Sequence, residues 1–236
     1  MQFFYNPQLE SSSKHFSFDA EESKHILRAL RRQVGDVLLI TNGKGEVFHG
    51  KIMGVQGKKC VGGILKSEWT ESKNYRLHLA VAPTKMNDRF EWFLEKATEI
   101  GIDEITPIIC ERSERKTVKM ERLDKVLQAA MKQSLQTYLP ILNEPTTLDT
   151  FLQKPTNGLS FIAHCEESSK TGLQKLLVPN SKVTMLIGPE GDFSPREVSL
   201  ALNHGFRPVS LGENRLRTET AAIVACTIVA MVNDKV

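Results

Sequence analysis

The chain has 236 residues, 40% hydrophobic and 25% charged, with a formal net charge of +3, the composition of an ordinary globular protein long enough to bury a core. The opening MQFFYNPQL has no basic segment ahead of an apolar run, and no stretch of about eighteen apolar residues occurs, so neither a signal peptide nor a membrane partner is expected and the protein is placed in the cytoplasm. Cys60, Cys110, Cys165 and Cys226 lie far apart with no C-x-x-C pair, which argues against zinc and against a disulfide framework; four small buried thiols and no metal are expected.

The first seventy residues read as mostly β. Phe3–Tyr5 and Val37–Ile40 are apolar and β-prone, Asn42-Gly43 and Lys44-Gly45 supply hairpin turns, and Glu46–Ile52 alternates with a period of two. Lys59–Leu65 adds a third run that completes a small barrel. One helix interrupts: Asp19 caps it, Glu21 and Glu22 suit its first turn, and Ile26, Leu27 and Leu30 form its apolar stripe. His25, Arg28, Arg31 and Arg32 crowd its other side and exit. Across residues 24–66 nine Lys/Arg stand against two carboxylates, Asp36 and Glu46, whereas residues 75–236 carry equal numbers of each sign. A basic small domain beside a neutral larger one suits a polyanionic partner, or is a solvated face. The polar stretch Glu68–Asn74 reads as a linker, dividing the chain into 1–70 and 75–236.

Beyond it strands and helices alternate. Leu77–Ala82 is a strand, Arg89–Ile100 a helix, and Glu104–Cys110 a strand closed by the charged loop Glu111–Lys119. Met120–Ser134 is a second amphipathic helix, and Leu159–His164 and Val183–Ile187 are strands. Ser194-Pro195-Arg196-Glu197 carries a cap, a proline at the first helical position and a glutamate at the third, a complete capping box. Pro208–Leu211 is a strand, and Thr218 is expected to cap a last apolar helix, Ala221–Val232. This order implies a mainly parallel sheet covered on both faces.

Two glycine-bearing loops follow late strands, Ile187-Gly188-Pro189-Glu190-Gly191 and Leu211-Gly212-Glu213-Asn214-Arg215-Leu216-Arg217. Ligands of open parallel sheets collect outside the carboxyl ends of strands, where glycine permits close backbone approach. The pair is either a small-molecule cradle or two plain turns. Other cofactor signals fail: there is no G-x-x-x-x-G-K-[ST], no G-x-G-x-x-G after the first strand and no H-E-x-x-H. His164-Cys165-Glu166 has no G-x-S-x-G elbow, and His164 reads as a strand-end residue.

Taken together, several segments resemble the RsmE family of the SPOUT superfamily, enzymes that methylate N3 of a uridine in 16S ribosomal RNA. The carrying segments are Lys24–Arg28 with Gly35-Asp36, Lys85 with Arg89, Glu95–Gly101, Glu111–Ser113, Lys132–Ser134, Ile187–Gly191, and Leu211-Gly212 leading to Leu216–Ala221. The resemblance implies an α/β fold in which a small PUA-like, RNA-binding β-barrel (1–70) precedes a SPOUT-type parallel sheet with a deep trefoil knot (75–236), working as a homodimer. It implies S-adenosyl-L-methionine as cofactor, held at Leu186, Ile187, Gly188, Gly191, Leu211, Gly212 and Leu216, and 16S rRNA of the small ribosomal subunit as partner. Asp192, Lys132 and Gln136 depart from the family's commonest pattern, the first standing where glycine is usual.

N3 of uridine must lose its proton to attack a methyl group, and cations that stabilise the anion help. Arg215 and Arg217 are the candidates for that role, or for holding phosphate, or for structural salt bridges. Glu219 either orients the substrate or favours the helix start. His25, Arg28, Arg31 and Arg32 would contact RNA phosphates, with Lys85, Arg89 and Arg112 as further RNA contacts. Three alternatives stay open. One is a related knotted enzyme acting on a ribose 2′-oxygen or a tRNA base. The others are a non-catalytic RNA-binding assembly factor and a nucleotide-dependent enzyme using Gly188–Asp192 as a phosphate loop, the last lacking a lysine beside its glycines.

Overall fold

The structure, a computed structural model, describes residues 2–166 and 169–234. Contacts divide the chain into two compact units, one made of the chain up to Ser72 with Met131–Leu139, the other of Lys73–Ala130 with the chain from Pro140 onward. The smaller unit has strands β1 (Phe4–Tyr5), β2 (His15–Ser17), β3 (Val37–Thr41), β4 (Glu46–Gln56) and β5 (Lys59–Trp69), in the order β1-β3-β4-β5-β2. Only the β1–β3 pairing is parallel. The Asn6 amide, just past β1, donates to the Ser17 carbonyl of β2 at 3.2 Å, joining the two outer strands. Phe16, Phe18, Ile26, Leu38, Ile40, Phe48 and Ile52 fill its core.

Besides the short β2, which the sequence did not signal, two features of this unit differ from the sequence expectation. β5 runs on through Glu68 and Trp69, residues expected in the linker, because no breaker ends its pairing with β4. The helix is not one α-helix. Asp19 Oδ1 caps α1 (Ala20–Lys24) by accepting from the Glu22 N–H at 2.8 Å, and the chain then makes one wide π turn over His25–Ala29. That turn buries Ile26 completely and leaves His25 and Arg28 exposed.

The larger unit contains β6 (Arg76–Val81), α2 (Asn87–Ile100), β7 (Glu104–Ile109), α3 (Met120–Gln133, whose residues from Met131 on belong to the smaller unit), β8 (Ile141–Leu142), β9 (Thr146–Thr147) and α4 (Leu148–Leu152). There follow β10 (Leu159–Ala163), β11 (Thr171–Gly172), β12 (Lys182–Ile187), α5 (Pro195–Asn203), β13 (Arg207–Ser210) and α6 (Thr218–Asn233). Its sheet has the order β11-β13-β10-β12-β6-β7-β8, with β9 also on β7, and every pairing is parallel. Strand alternation sends Ala80, Ala82, Ile162 and Leu186 into one apolar layer with Leu148 and Phe151 of α4 and Val198 and Ala201 of α5. α6 packs on α2, β6 and β12, burying Phe90, Phe93, Leu94 and Ala97 of α2 with Ala222, Ala225 and Val229 of its own.

The capping box of α5 forms as read: Glu197 N–H donates to Ser194 Oγ at 3.2 Å, and Ser194 N–H to Glu197 Oε2 at 2.8 Å. The start of α6 does not. Arg217, not Thr218, is its N-cap, and Thr218 is the first helical residue. The Thr218 hydroxyl donates instead to the Gly188 carbonyl at 2.9 Å, a tertiary bond that takes the place of the expected local cap. Among the described residues no helix is long and apolar enough to cross a membrane, and no group of three His, Cys, Asp or Glu is placed to hold a metal ion.

Candidate active site

The parallel register sets Ala163 of β10 beside Ile187 of β12 on one side and Val209 of β13 on the other. Three strands therefore end together, and the loops leaving them wall a cleft of about 670 Å³, within the range of small-molecule sites. Ile187, Gly188, Leu211, Gly212 and Leu216 line it, as do Arg215 and Arg217. Leu186 and Gly191 do not. Leu186 is fully buried in the layer under α4 and α5, and a Cβ at Gly191 would meet Arg112 Cβ at 3.2 Å.

The two glycines at the heart of the cleft serve different needs. Gly212 has φ +142° with nothing within 4 Å of its missing Cβ, so its backbone stands open to a ligand in a conformation that side chains strain to adopt. A Cβ at Gly188 would press on the Phe193 ring at 3.0 Å and on the Phe193 nitrogen at 3.3 Å. Its smallness lets the loop close over Phe193. Asp192 adopts φ +62°, the region that favours glycine and that aspartate tolerates better than most residues. Its Oδ2 accepts from the Cys165 N–H at 2.8 Å. The carboxylate therefore links the β12 loop to the end of β10, and the departure from the family's glycine is explained.

Sequence reasoning missed the third wall. His164, Cys165 and Lys170, after β10, line the cleft, and Lys170 Nζ donates to the carbonyls of His164 and Glu166 at 2.8 and 2.5 Å. Cys165 is exposed, unlike the other three cysteines, so the expectation of four buried thiols fails there. Burial of Cys226 pushes its thiol up to about 12. Burial, and then the Lys170 charge, hold the His164 pKa below its ordinary value. No glycine marks this strand end, and the order that puts β10 between β12 and β13 leaves no local signal.

Arginines lace the remaining loops. Arg112 Nη1 donates to the carbonyls of Gly191 and Phe193 at 3.1 and 3.3 Å. Arg115 donates to those of Thr84 and Lys85, and the Lys85 N–H donates to Glu190 Oε1 at 2.8 Å. The Lys85 ammonium pairs with Glu114 at 2.8 Å. Arg89 Nε lies 3.8 Å from Glu219 Oε1, whose side chain is only 9% exposed. Three buried atoms beside this framework have no hydrogen-bond partner among the described residues: His164 Nδ1, Glu190 Oε2 and Glu219 Oε2. Buried polar atoms without partners are costly, and His164 and Glu190 stand in the cleft wall. A ligand with a cationic centre and polar hydrogens suits these acceptors, while Ile187, Leu211 and Leu216 offer apolar cover.

Arg215 and Arg217 are exposed at the cleft and make no ion pair among the described residues. In the smaller unit Arg28 and Arg31 are likewise exposed and without an ion pair, Arg31 at φ +54°. Arg32 faces Asp36 at 4.0 Å, and His25 lies 3.4 Å from the Gln2 amide.

Residues 70–230 match the family described as RNA methyltransferase domain, and residues 18–65 the one described as RNA methyltransferase PUA domain. The ribosomal RNA small subunit methyltransferase E of Rickettsia conorii is 31% identical over 238 residues, covering 98% of this chain and 95% of that protein. A crystal structure of a probable rRNA-methyltransferase from Porphyromonas gingivalis is 41% identical, with a TM-score of 0.89 over 99% of this chain and 98% of that one. Another, of a ribosomal RNA small subunit methyltransferase E from Neisseria gonorrhoeae bound to S-adenosyl methionine, is 25% identical, with a TM-score of 0.85 over 96% and 95% of the two chains.

Proposed function

The chain belongs to the ribosomal RNA small subunit methyltransferase E family, and we propose that it methylates N3 of a uridine in 16S ribosomal RNA, using S-adenosylmethionine held in the cleft at the ends of β10, β12 and β13. The observation that carries this reading is the cleft itself. It lies within the residues matched by the RNA methyltransferase family, its backbone is open at Gly212, and exposed Arg215 and Arg217 stand on its rim.

The cofactor, when bound, supplies an electrophilic methyl group on a cationic sulfonium. Ile187, Gly188, Leu211, Gly212 and Leu216 would hold it through backbone and apolar contacts, with Leu186 and Gly191 supporting from behind, and the Glu190 carboxylate in the same wall would offset its positive charge. Arg217 and Arg215 would stabilise the uracil anion left when N3 releases its proton to solvent water, lowering the barrier to its in-line attack on the methyl group. Glu219 fixes Arg89, placing that cation near the start of α6. N3 lies on the pairing edge, so the target base must be unpaired or flipped out.

The division of labour assigns RNA contact to residues 1–70, through His25, Arg28, Arg31 and Arg32, and catalysis to 75–236. Lys85 and Arg89 are proposed as further RNA contacts, although Lys85 stands beside Glu114 and Arg89 beside Glu219. A SPOUT-type trefoil knot is proposed for the path by which β12 and β13 flank β10 while α6 returns to α2 and β6. A homodimer is proposed to cover α6, on which Met231 is exposed and Ile223, Val224 and Ile228 are half-buried. The work belongs in the cytoplasm, where small subunits assemble. Mass spectrometry of nucleosides from unmodified small subunits, incubated with the protein and S-adenosylmethionine, is expected to show 3-methyluridine. A methyl group on a ribose oxygen, or none, would overturn the reading.

A further inference from the structure

We propose that the opposite, amino-terminal edge of the large sheet carries a second site, one that takes a phosphate group. A cavity of about 290 Å³ opens there, at the starts of β6, β7 and β12. Strands of six residues at about 3.3 Å each set it roughly 20 Å from the cofactor cleft. Arg76 and Lys182 are the first residues of β6 and β12 and stand side by side in the ladder. Lys154, on the loop after α4, forms the third cationic corner.

Among the described residues none of these three cations makes an ion pair. The two carboxylates in the wall are already engaged. Asp103 Oδ2 accepts from the Leu77 N–H at 2.8 Å and from Lys73 Nζ at 3.2 Å, and Glu104 Oε1 accepts from the Asn143 amide at 2.8 Å. Thr156, Asn157 and Thr184 add neutral donors to the same wall.

The cavity is built rather than incidental. Gly158 has φ +104°, and a Cβ there would fall 2.2 Å from the Lys182 carbonyl oxygen, so only glycine lets the Lys154 loop lie flat against β12. His78 forms the inner wall, edge-on to Phe151 at 5.5 Å and 2.7 Å from Thr106 Oγ1, with Nδ1 3.8 Å from Glu104 Oε1. Its pKa is lowered by burial. Glu104 opposes that shift, while Arg76 and Lys154 reinforce it, which places both cations within electrostatic reach of the ring. Three cations against two carboxylates leave the lining one net positive charge, and a multivalent anion with several acceptor oxygens meets the charged donors of Arg76, Lys154 and Lys182 that no carboxylate among the described residues occupies. The space suits a phosphate with few attached atoms.

Two sources share this chemistry, free inorganic phosphate and a backbone phosphate of RNA; the second rests on the function proposed above. The test follows the His78 ring resonance of the full chain, assigned with His78→Gln, during titration with inorganic phosphate at fixed pH and at ionic strength matched with chloride. A saturable shift that is weakened at least about tenfold in Lys154→Ala/Lys182→Ala is expected. The same double variant is then measured for affinity to small subunits. Loss of affinity, with the logarithmic salt slope flattened by up to about 0.9 per phosphate neutralised, identifies RNA as the source; unchanged subunit affinity beside a saturable shift identifies free phosphate. No saturable shift together with unchanged subunit affinity would overturn the site. Because the readout is local to His78 and the lysines, failure here leaves the methyltransferase reading intact, and failure of that reading leaves the phosphate titration standing.

Discussion

The arginines of the two units contrast. In the smaller unit Arg28 and Arg31 reach solvent with no ion pair among the described residues, and Arg32 lies 4.0 Å from Asp36. In the larger unit Arg112 and Arg115 spend their donors on backbone carbonyls of loops beside the cleft, and Arg122 and Arg196 on carboxylates. All are the same side chain, and several sit in equally charged stretches of sequence. What separates them is whether the guanidinium is already satisfied. An arginine bonded to loop carbonyls holds that loop; one with no protein partner has all its donors available for phosphate. Arg112 Nη1, bonded to the carbonyls of Gly191 and Phe193, supports the Gly188–Phe193 loop, whereas Arg215 and Arg217 keep the open character of the smaller unit's set.

The sharpest way to break this contrast is to damage the scaffold itself. Gly188→Val would overpack Phe193, at a cost of about 1–3 kcal/mol. If that strain falls on the loop, S-adenosylmethionine affinity drops roughly 5- to 150-fold by calorimetry. Near-normal affinity in a folded variant would show that the loop does not shape the cleft. Next comes the open set. Replacing Arg28, Arg31 and Arg32 with alanine should weaken RNA binding, with cofactor affinity unchanged. The logarithmic salt slope should flatten by up to about 0.9 for each phosphate that no longer meets an arginine. An unaltered slope would make these side chains an ordinary solvated face.

A smaller effect is expected at Arg112. Of its two bonds to carbonyls one is exposed and one part-buried, so their loss should cost about 1 kcal/mol, seen as a roughly fivefold rise in KM for S-adenosylmethionine. Arg112→Lys should recover part of it. The smallest effect is on pH dependence. Burial lowers the pKa of both His78 and His164 below the ordinary 6.5, so the unfolded chain binds protons that the folded one refuses. Stability should therefore be full above that value and decline as pH falls through it. His78→Gln should shallow the decline in denaturant titrations, and an identical profile would assign it elsewhere.

The parts of this molecule that local chemistry dictates were legible. Ser194–Glu197 caps α5 through its own side chains, and Gly188 and Gly212 mark strand ends that do wall the cleft. What escaped depends on residues far apart in the chain. Thr218 resembles a cap by type, but its hydroxyl bonds Gly188 thirty residues away. Cys165 and Asp192 meet only because β10 lies next to β12. The three-residue β2 is too short to show a period, and the π turn at His25–Ala29 keeps an apolar stripe that an α-helix would share. Arg112 and Arg28 are indistinguishable in sequence, since the carbonyls that engage one and spare the other are set by tertiary structure.

Steady-state methyl transfer to small subunits, with each substrate varied in turn, tests that distinction most directly. For Arg112→Ala the KM for S-adenosylmethionine should rise while the KM for the subunit stays near that of the unaltered protein. For the Arg28, Arg31 and Arg32 triple variant the pattern should reverse. A rise in subunit KM alone for Arg112→Ala, or a rise in cofactor KM for the triple variant at equal thermal stability, would contradict the division between arginines that hold loops and arginines that meet RNA.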